Sequence, residues 1–171
     1  VKAALRIPVV ANGDITSPEK ARDVLASTGA DAIMIGRAAQ GRPWIFREIL
    51  HFLDCGVHLP PPSVAEAREA IVLHLDDHYA FHGETAGVRT ARKHLGWYAK
   101  DLDGGDVFRR EINAAETSAL QLAAVGRFFD TLGKRGERLA YRAPAAAIVD
   151  ATFAHGWSRQ VSQRGGEALA A

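Results

Sequence analysis

Two short clusters near the start of the chain carry the residue types of an anion site. Asn12-Gly13-Asp14 closes one apolar run, and Gly36-Arg37 closes another. Glycine lets backbone approach a ligand, free amide groups bind anions, and arginine clamps a phosphate through its planar fork. If the two runs are parallel strands, both clusters lie at the carboxyl edge of one sheet. (β/α)8 barrels frequently hold phosphate there, in the loops after their last strands and at a short extra helix. The Ala38-Ala39-Gln40 turn is the candidate for that helix. The spacing therefore predicts a cofactor phosphate site at Asn12, Gly13, Asp14, Gly36 and Arg37.

A second constellation is cationic. At 100° per residue, Val88, Ala91, Leu95, Tyr98 and Leu102 share one side of a helix. Arg89, Arg92, Lys93 and Lys100 share another, with Trp97 beside them. Four cations in line with an aromatic suit a nucleic-acid backbone and a base stacked at its edge. The plainer reading is a solvated helix face. His74, His78 and His82 recur every four residues, and histidines at that spacing can share an ion. No H-E-x-x-H arrangement accompanies them, so no metal ligands are assigned. His94 is read as an RNA contact or a packing residue. Cys55, just before Gly56, is read as an inert thiol with no base close to it in sequence. No Ser-His-Asp order or carboxylate pair is present.

The elements that must position these residues change character along the chain. Ile7 to Ala11 and Ala32 to Ile35 are apolar without alternation, the pattern of strands buried on both faces in a parallel sheet. Between them, Thr16 or Ser17 can cap a helix whose first turn holds Pro18 and Glu19 and which Gly29 can close. About thirty residues fit one βαβ crossover. Pro43 then leads a helix over Trp44–Leu53. Leu59-Pro60-Pro61-Pro62-Ser63 is a stiff linker and the clearest boundary. Beyond it the pattern is all helix: a Ser63–Glu66 capping box opens one helix, and others follow over Glu84–Lys100, Asp106–Ile112 and Thr117–Leu132. The fold class is α/β followed by all-α, with units at 1–58 and 59–133. Residues 134–171 read as a mostly disordered tail, in which Lys134 to Arg164 holds six Lys/Arg against two Asp/Glu. That excess offers weak attraction to a polyanion.

Composition narrows the classes. The chain has 171 residues, 47% hydrophobic and 24% charged, enough to bury a core. A formal net charge of +1 selects no partner class, so local charge must decide. A single cysteine excludes a disulfide framework and a cysteine-rich metal site, and suits a reducing cytoplasm. No apolar run approaches the ~20 residues that span a bilayer. The opening Val1, entering a strand within a few residues, reads as an N-terminal truncation.

The motifs V-A-N-G-D-I, M-I-G-R-A-A-Q-G-R-P-W-I-F and R-K-H-L-G-W-Y-A-K, in that order, resemble the bacterial tRNA-dihydrouridine synthases, most closely the B type. The resemblance covers roughly residues 5–133. It implies the last two βα units of an FMN-binding (β/α)8 TIM barrel, followed by a C-terminal four-helix bundle domain that helps bind tRNA. It implies that Asn12, Gly13 and Asp14 contact FMN, that Gly36 and Arg37 hold its phosphate, and that Arg89, Arg92, Lys93, Trp97 and Lys100 face tRNA. The implied reaction reduces a uridine of tRNA to 5,6-dihydrouridine, with NADPH reducing FMN and a cysteine from an earlier barrel loop as general acid. That cysteine would precede residue 1, and Cys55 cannot take its place. The chain alone is therefore expected to be inactive, and the protein to be a cytoplasmic monomer without metal. Two alternatives stand beside it: a non-catalytic RNA-binding helical module, and another phosphate-binding barrel enzyme.

Overall fold

A computed structural model describes residues 2–142 of the chain. Its first unit runs β1 (Val10–Asn12), α1 (Pro18–Thr28), β2 (Ala32–Met34), a 3₁₀ turn (Arg37–Ala39) and α2 (Ile45–Cys55). The α1 boundaries follow from local chemistry. Ser17 accepts a bond from the Lys20 N–H, Pro18 occupies the first turn, and Gly29 ends the helix in the left-handed conformation at φ 62°. β1 and β2 pair in parallel, with Val10 opposite Ala32 and Asn12 opposite Met34, so both clusters leave the same sheet edge.

The strands correct one expectation. They are three-residue ladders, and they are not buried on both faces. Ile33 and Ile35 pack over Ile15, Ala21, Ile45 and Ile49, but Val10 and Met34 remain 52% and 54% exposed. The apolar side chains on the second face have no element against them among the described residues.

Four helices form the second unit: α3 (Val64–His82), α4 (Glu84–Ala99), α5 (Gly105–Ala114) and α6 (Ser118–Gly133). The capping box forms in both directions, Ser63 Oγ accepting from the Glu66 N–H and Glu66 Oε2 from the Ser63 N–H. One core joins Ile71, Leu75, Leu95, Ile112, Val125 and Phe129 from all four helices. At its centre lies a buried polar knot. Gln121 donates through Nε2 to the carbonyls of Val88 (3.0 Å) and Ile112 (3.2 Å). It accepts through Oε1 from the Tyr79 hydroxyl at 2.8 Å. One side chain thus ties four helices with its polar groups satisfied, as burial requires.

A second correction concerns the stretch after Gly133. Residues 134–142 do not behave as tail. Leu139 is buried in the helical core, its N–H donates to the Pro62 carbonyl at 3.0 Å, and the Val64 N–H donates to the Glu137 carbonyl at 2.8 Å. The polyproline linker is consequently clasped, and Pro62 is fully buried. Arg135 and Arg142 pair with Asp103, and Arg138 donates to the Pro61 carbonyl, so three cations of the expected tail serve internal contacts. The rest of that tail, 143–171, lies outside the described residues.

Candidate functional site

The five residues expected to hold a phosphate come together. Asn12, Gly13, Asp14, Gly36 and Arg37 line one open cavity of about 730 Å³, with Thr16, Met34 and Ala38. Parallel pairing of β1 with β2 is the cause, since it delivers two loops to one edge. Asp14 is the only non-glycine residue with positive φ among the described residues, at 41°. Aspartate tolerates that region better than most side chains, and such outliers gather at functional sites. Arg37 reaches across to Asp14 at 2.5 Å, both side chains about four-fifths exposed. A Cβ at Gly13 or Gly36 would meet nothing within 4 Å, so the backbone there is open to a ligand.

The basic helix is α4, and its apolar side is buried as the periodicity requires: Val88, Ala91 and Leu95 lie in the core. Arg89, Lys93 and Lys100 are exposed together. Lys93 Nζ lies over the Trp97 ring at 4.9 Å, a cation–π contact. Arg92 differs. It is half-buried, and its guanidinium donates to the Ala115 carbonyl at 3.1 Å. Its angular position explains this: 100° per residue puts it about 60° from Arg89, on the side of Val88. Among the described residues the stripe therefore presents three cations without an ion-pair partner, Lys93 lying over Trp97, and one that braces the α5–α6 junction.

The two surfaces are continuous, which periodicity could not reveal. A cleft of about 680 Å³ is lined by Arg37, Ala38, Gly41, Trp97, Tyr98 and Lys100 among others, and shares Thr16, Arg37 and Ala38 with the first cavity. Gly41 makes the junction. At φ 73° it brings the loop so close to α4 that a Cβ would stand 2.4 Å from the Trp97 carbonyl. Trp44, from the first unit, packs in the helical core and contacts Tyr98. Arg42 pairs with Glu48, whose carboxylate is nearly buried. The G-R-P-W stretch, in which the sequence pattern marks only a helix lead at Pro43, is thus the hinge-pin between units. A glycine in an otherwise helix-leading segment is the signal that points to it.

Two expectations about single residues change. Cys55 does have a base nearby: His51, one helical turn earlier, places Nε2 3.3 Å from Sγ. The i, i+4 spacing is the signal for it. The pair is exposed on α2, and neither residue lines the two cavities. The histidine ridge on α3 is only part of a larger cluster, because α4 brings His94 against it, between His74 (5.1 Å between ring centres) and His78 (5.4 Å).

Comparison with known proteins agrees with this arrangement of motifs. A family model described as dihydrouridine synthase matches residues 1–132. The chain is 61% identical over 132 residues to tRNA-dihydrouridine synthase B of Xanthomonas axonopodis pv. citri, covering 77% of this chain and 40% of that protein. The corresponding Pseudomonas putida protein is 56% identical over 129 residues, covering 75% and 38%. That of Serratia marcescens is 50% identical over 137 residues, covering 80% and 41%. The chain thus spans about 40% of the length of the curated relatives it matches.

Proposed function

The chain belongs to the dihydrouridine synthase family, and we propose that it forms the closing part of an FMN-dependent enzyme that reduces a uridine of tRNA to 5,6-dihydrouridine, with NADPH as reductant. On this reading β1 and β2 are the last two strands of a TIM barrel, and α3–α6 are the bundle that grips tRNA. The sheet has only two strands among the described residues, so its open edges fit a sheet that continues, and its open apolar face fits a layer of side chains packed on it. The protein is proposed to act as a cytoplasmic monomer. Among the described residues, no helix is long and apolar enough to cross a membrane.

The residues at the strand edge fit the phosphate end of a flavin mononucleotide. Gly13 and Gly36 leave backbone accessible, and Arg37 supplies a cation. An exposed ion pair such as Arg37–Asp14 contributes only about 0–1 kcal/mol. A phosphate can therefore draw Arg37 away, because a charge-assisted bond to a dianion is stronger. Asn12 and Asp14 are proposed to contact the same cofactor. FMN, when bound, supplies the hydride chemistry. Arg89, Lys93 and Lys100 hold phosphates of the tRNA, Arg92 keeps α4 braced, and Trp97 offers a stacking face. No residue of this chain is assigned as general acid. The cysteine with that role is proposed to lie in the length of the relatives that this chain does not span, so the chain alone should be inactive.

One observation carries the reading: the cofactor edge and the basic face are a single surface, joined through Arg37 and held by Gly41 against α4. Its test is tRNA binding by the chain across a salt series. Replacing Lys93 and Lys100 with alanine should weaken binding and reduce the log–log salt slope by about 2, roughly 1 for each phosphate no longer neutralised. An unchanged slope removes α4 from the interface. The self-contained core of α3–α6 supports the second reading, an RNA-binding module without a flavin. Under that reading Arg37→Ala leaves tRNA binding intact, and the purified full-length protein carries no yellow chromophore.

A further inference from the structure

Three histidines from two helices meet on the outer side of the α3–α4 pair. His74 and His78 stand one turn apart on α3, and His94 faces them from α4. One ring nitrogen from each lies within 4.8 Å of the others, and all three side chains are half-buried. No carboxylate belongs to the group. Neutral imidazole is the form that binds metals.

The groups behind the rings fix the donors. The Thr90 hydroxyl gives its one hydrogen to the Ala86 carbonyl at 2.8 Å. The same hydroxyl faces His78 Nε2 at 2.7 Å, which leaves Nδ1 as the outer nitrogen of that ring. His74 Nδ1 contacts the Tyr98 hydroxyl at 3.1 Å, which leaves Nε2 as its outer nitrogen. Ligating histidines are commonly held this way, the second nitrogen bonded to a neighbouring group. His94 makes no hydrogen bond among the described residues; its ring rests edge-on against Trp97 at 5.2 Å.

We propose that His74, His78 and His94 form a binding site for one borderline divalent transition-metal ion of the zinc class, bridging α3 and α4 with its outer coordination position open to solvent. Imidazole donors favour zinc, copper, nickel or cobalt over magnesium and calcium, which want oxygen. Tetrahedral coordination at about 2.0–2.1 Å needs nitrogens roughly 3.4 Å apart. The rings must close by up to about 1.4 Å, within reach of side-chain rotation for half-exposed groups. The site clamps the second half of the basic helix to its neighbour, next to Lys93 and Trp97.

The test uses the 171-residue chain, stripped with chelator and titrated with Zn²⁺ and then Co²⁺. The expected result is one ion per chain, a cobalt visible spectrum of tetrahedral intensity, and a rise in melting temperature with added zinc. His94→Asn should lower affinity at least about tenfold, as even second-nitrogen partners do when removed. His78→Asn should do the same, which covers the case where one variant misfolds by circular dichroism. His58→Asn, paired with Glu19 elsewhere, should bind as the parent does. Absence of stoichiometric binding, or parent-like affinity in the His78 and His94 variants, overturns the site. Competition by excess magnesium would overturn the assigned metal class.

Discussion

Replacing Gly41 with alanine should loosen the joint that makes one surface of two. The structure sets the size of the effect. A Cβ built there stands 2.4 Å from both the carbon and the oxygen of the Trp97 carbonyl and 2.7 Å from the Tyr98 nitrogen. Comfortable carbon contacts begin near 3.5 Å, so loop and helix must part by about 1 Å. Overpacking of this kind costs about 1–3 kcal/mol. Alanine at φ 73° adds about 1–2 kcal/mol for the left-handed backbone. The total, about 2–5 kcal/mol, is a large part of the ~5–15 kcal/mol that a domain has. Gly29 separates the two causes. It sits at φ 62° with nothing within 4 Å of an added methyl, so Gly29→Ala carries the backbone cost alone. Urea unfolding followed by tryptophan fluorescence is the assay, because Trp44 and Trp97 flank the contact. The Gly41 variant should unfold at clearly lower urea than the Gly29 variant, and its tRNA affinity should fall. Equal midpoints for the two variants would refute the close approach and, with it, the fixed alignment of the strand-end cavity with α4.

The buried knot makes a sharper claim about stability. Gln121→Ala removes three hydrogen bonds and leaves a cavity, and should cost about 3 kcal/mol or more by calorimetry. Tyr79→Phe strands Gln121 Oε1 and should cost about 1–3 kcal/mol; the double variant should lose less than the two single losses summed, since they share one bond. Burial pushes the Tyr79 hydroxyl up to about 12, so this donor persists across the working pH range. Acid should act through the helix starts. Glu66 and Glu84 are held below the usual carboxylate range because each accepts a backbone N–H, from Ser63 and Ser118 respectively. Depressed folded-state values mean that their stabilisation is present above about pH 4.3 and lost as pH falls through the folded values. Glu66→Gln should remove part of that acid dependence in a melting-temperature series, and an unaltered series would show that the capping box does not titrate.

Much of this organisation is legible in local chemistry. Ser17, Pro18 and Gly29 bound α1, and Ser63 with Glu66 starts α3, because caps and left-handed stops depend on neighbouring residues alone. The burial of Val88, Ala91 and Leu95 follows from a period of 3.6. The convergence of Asn12, Gly13, Asp14, Gly36 and Arg37 on one edge is legible too, since each group closes one of two apolar runs. Where local chemistry misleads, the cause is shared. Arg92 resembles its neighbours in the stripe until Ala115 is seen beside it. Leu139 looks like tail until the gap beside Pro62 is known. His94 has no partner in its own helix.

Sequence alone therefore determined the elements, their caps, the family motifs and the residues of the strand-end cluster, all of which depend on contacts within a few positions. Tertiary structure alone decided that Arg37 and Lys100 line one cleft, that Gly41 pins the loop to α4, that Gln121 joins four helices, and that His94 closes on His74 and His78. These pairings span tens of residues, and chain connectivity says nothing about them until packing brings the elements together.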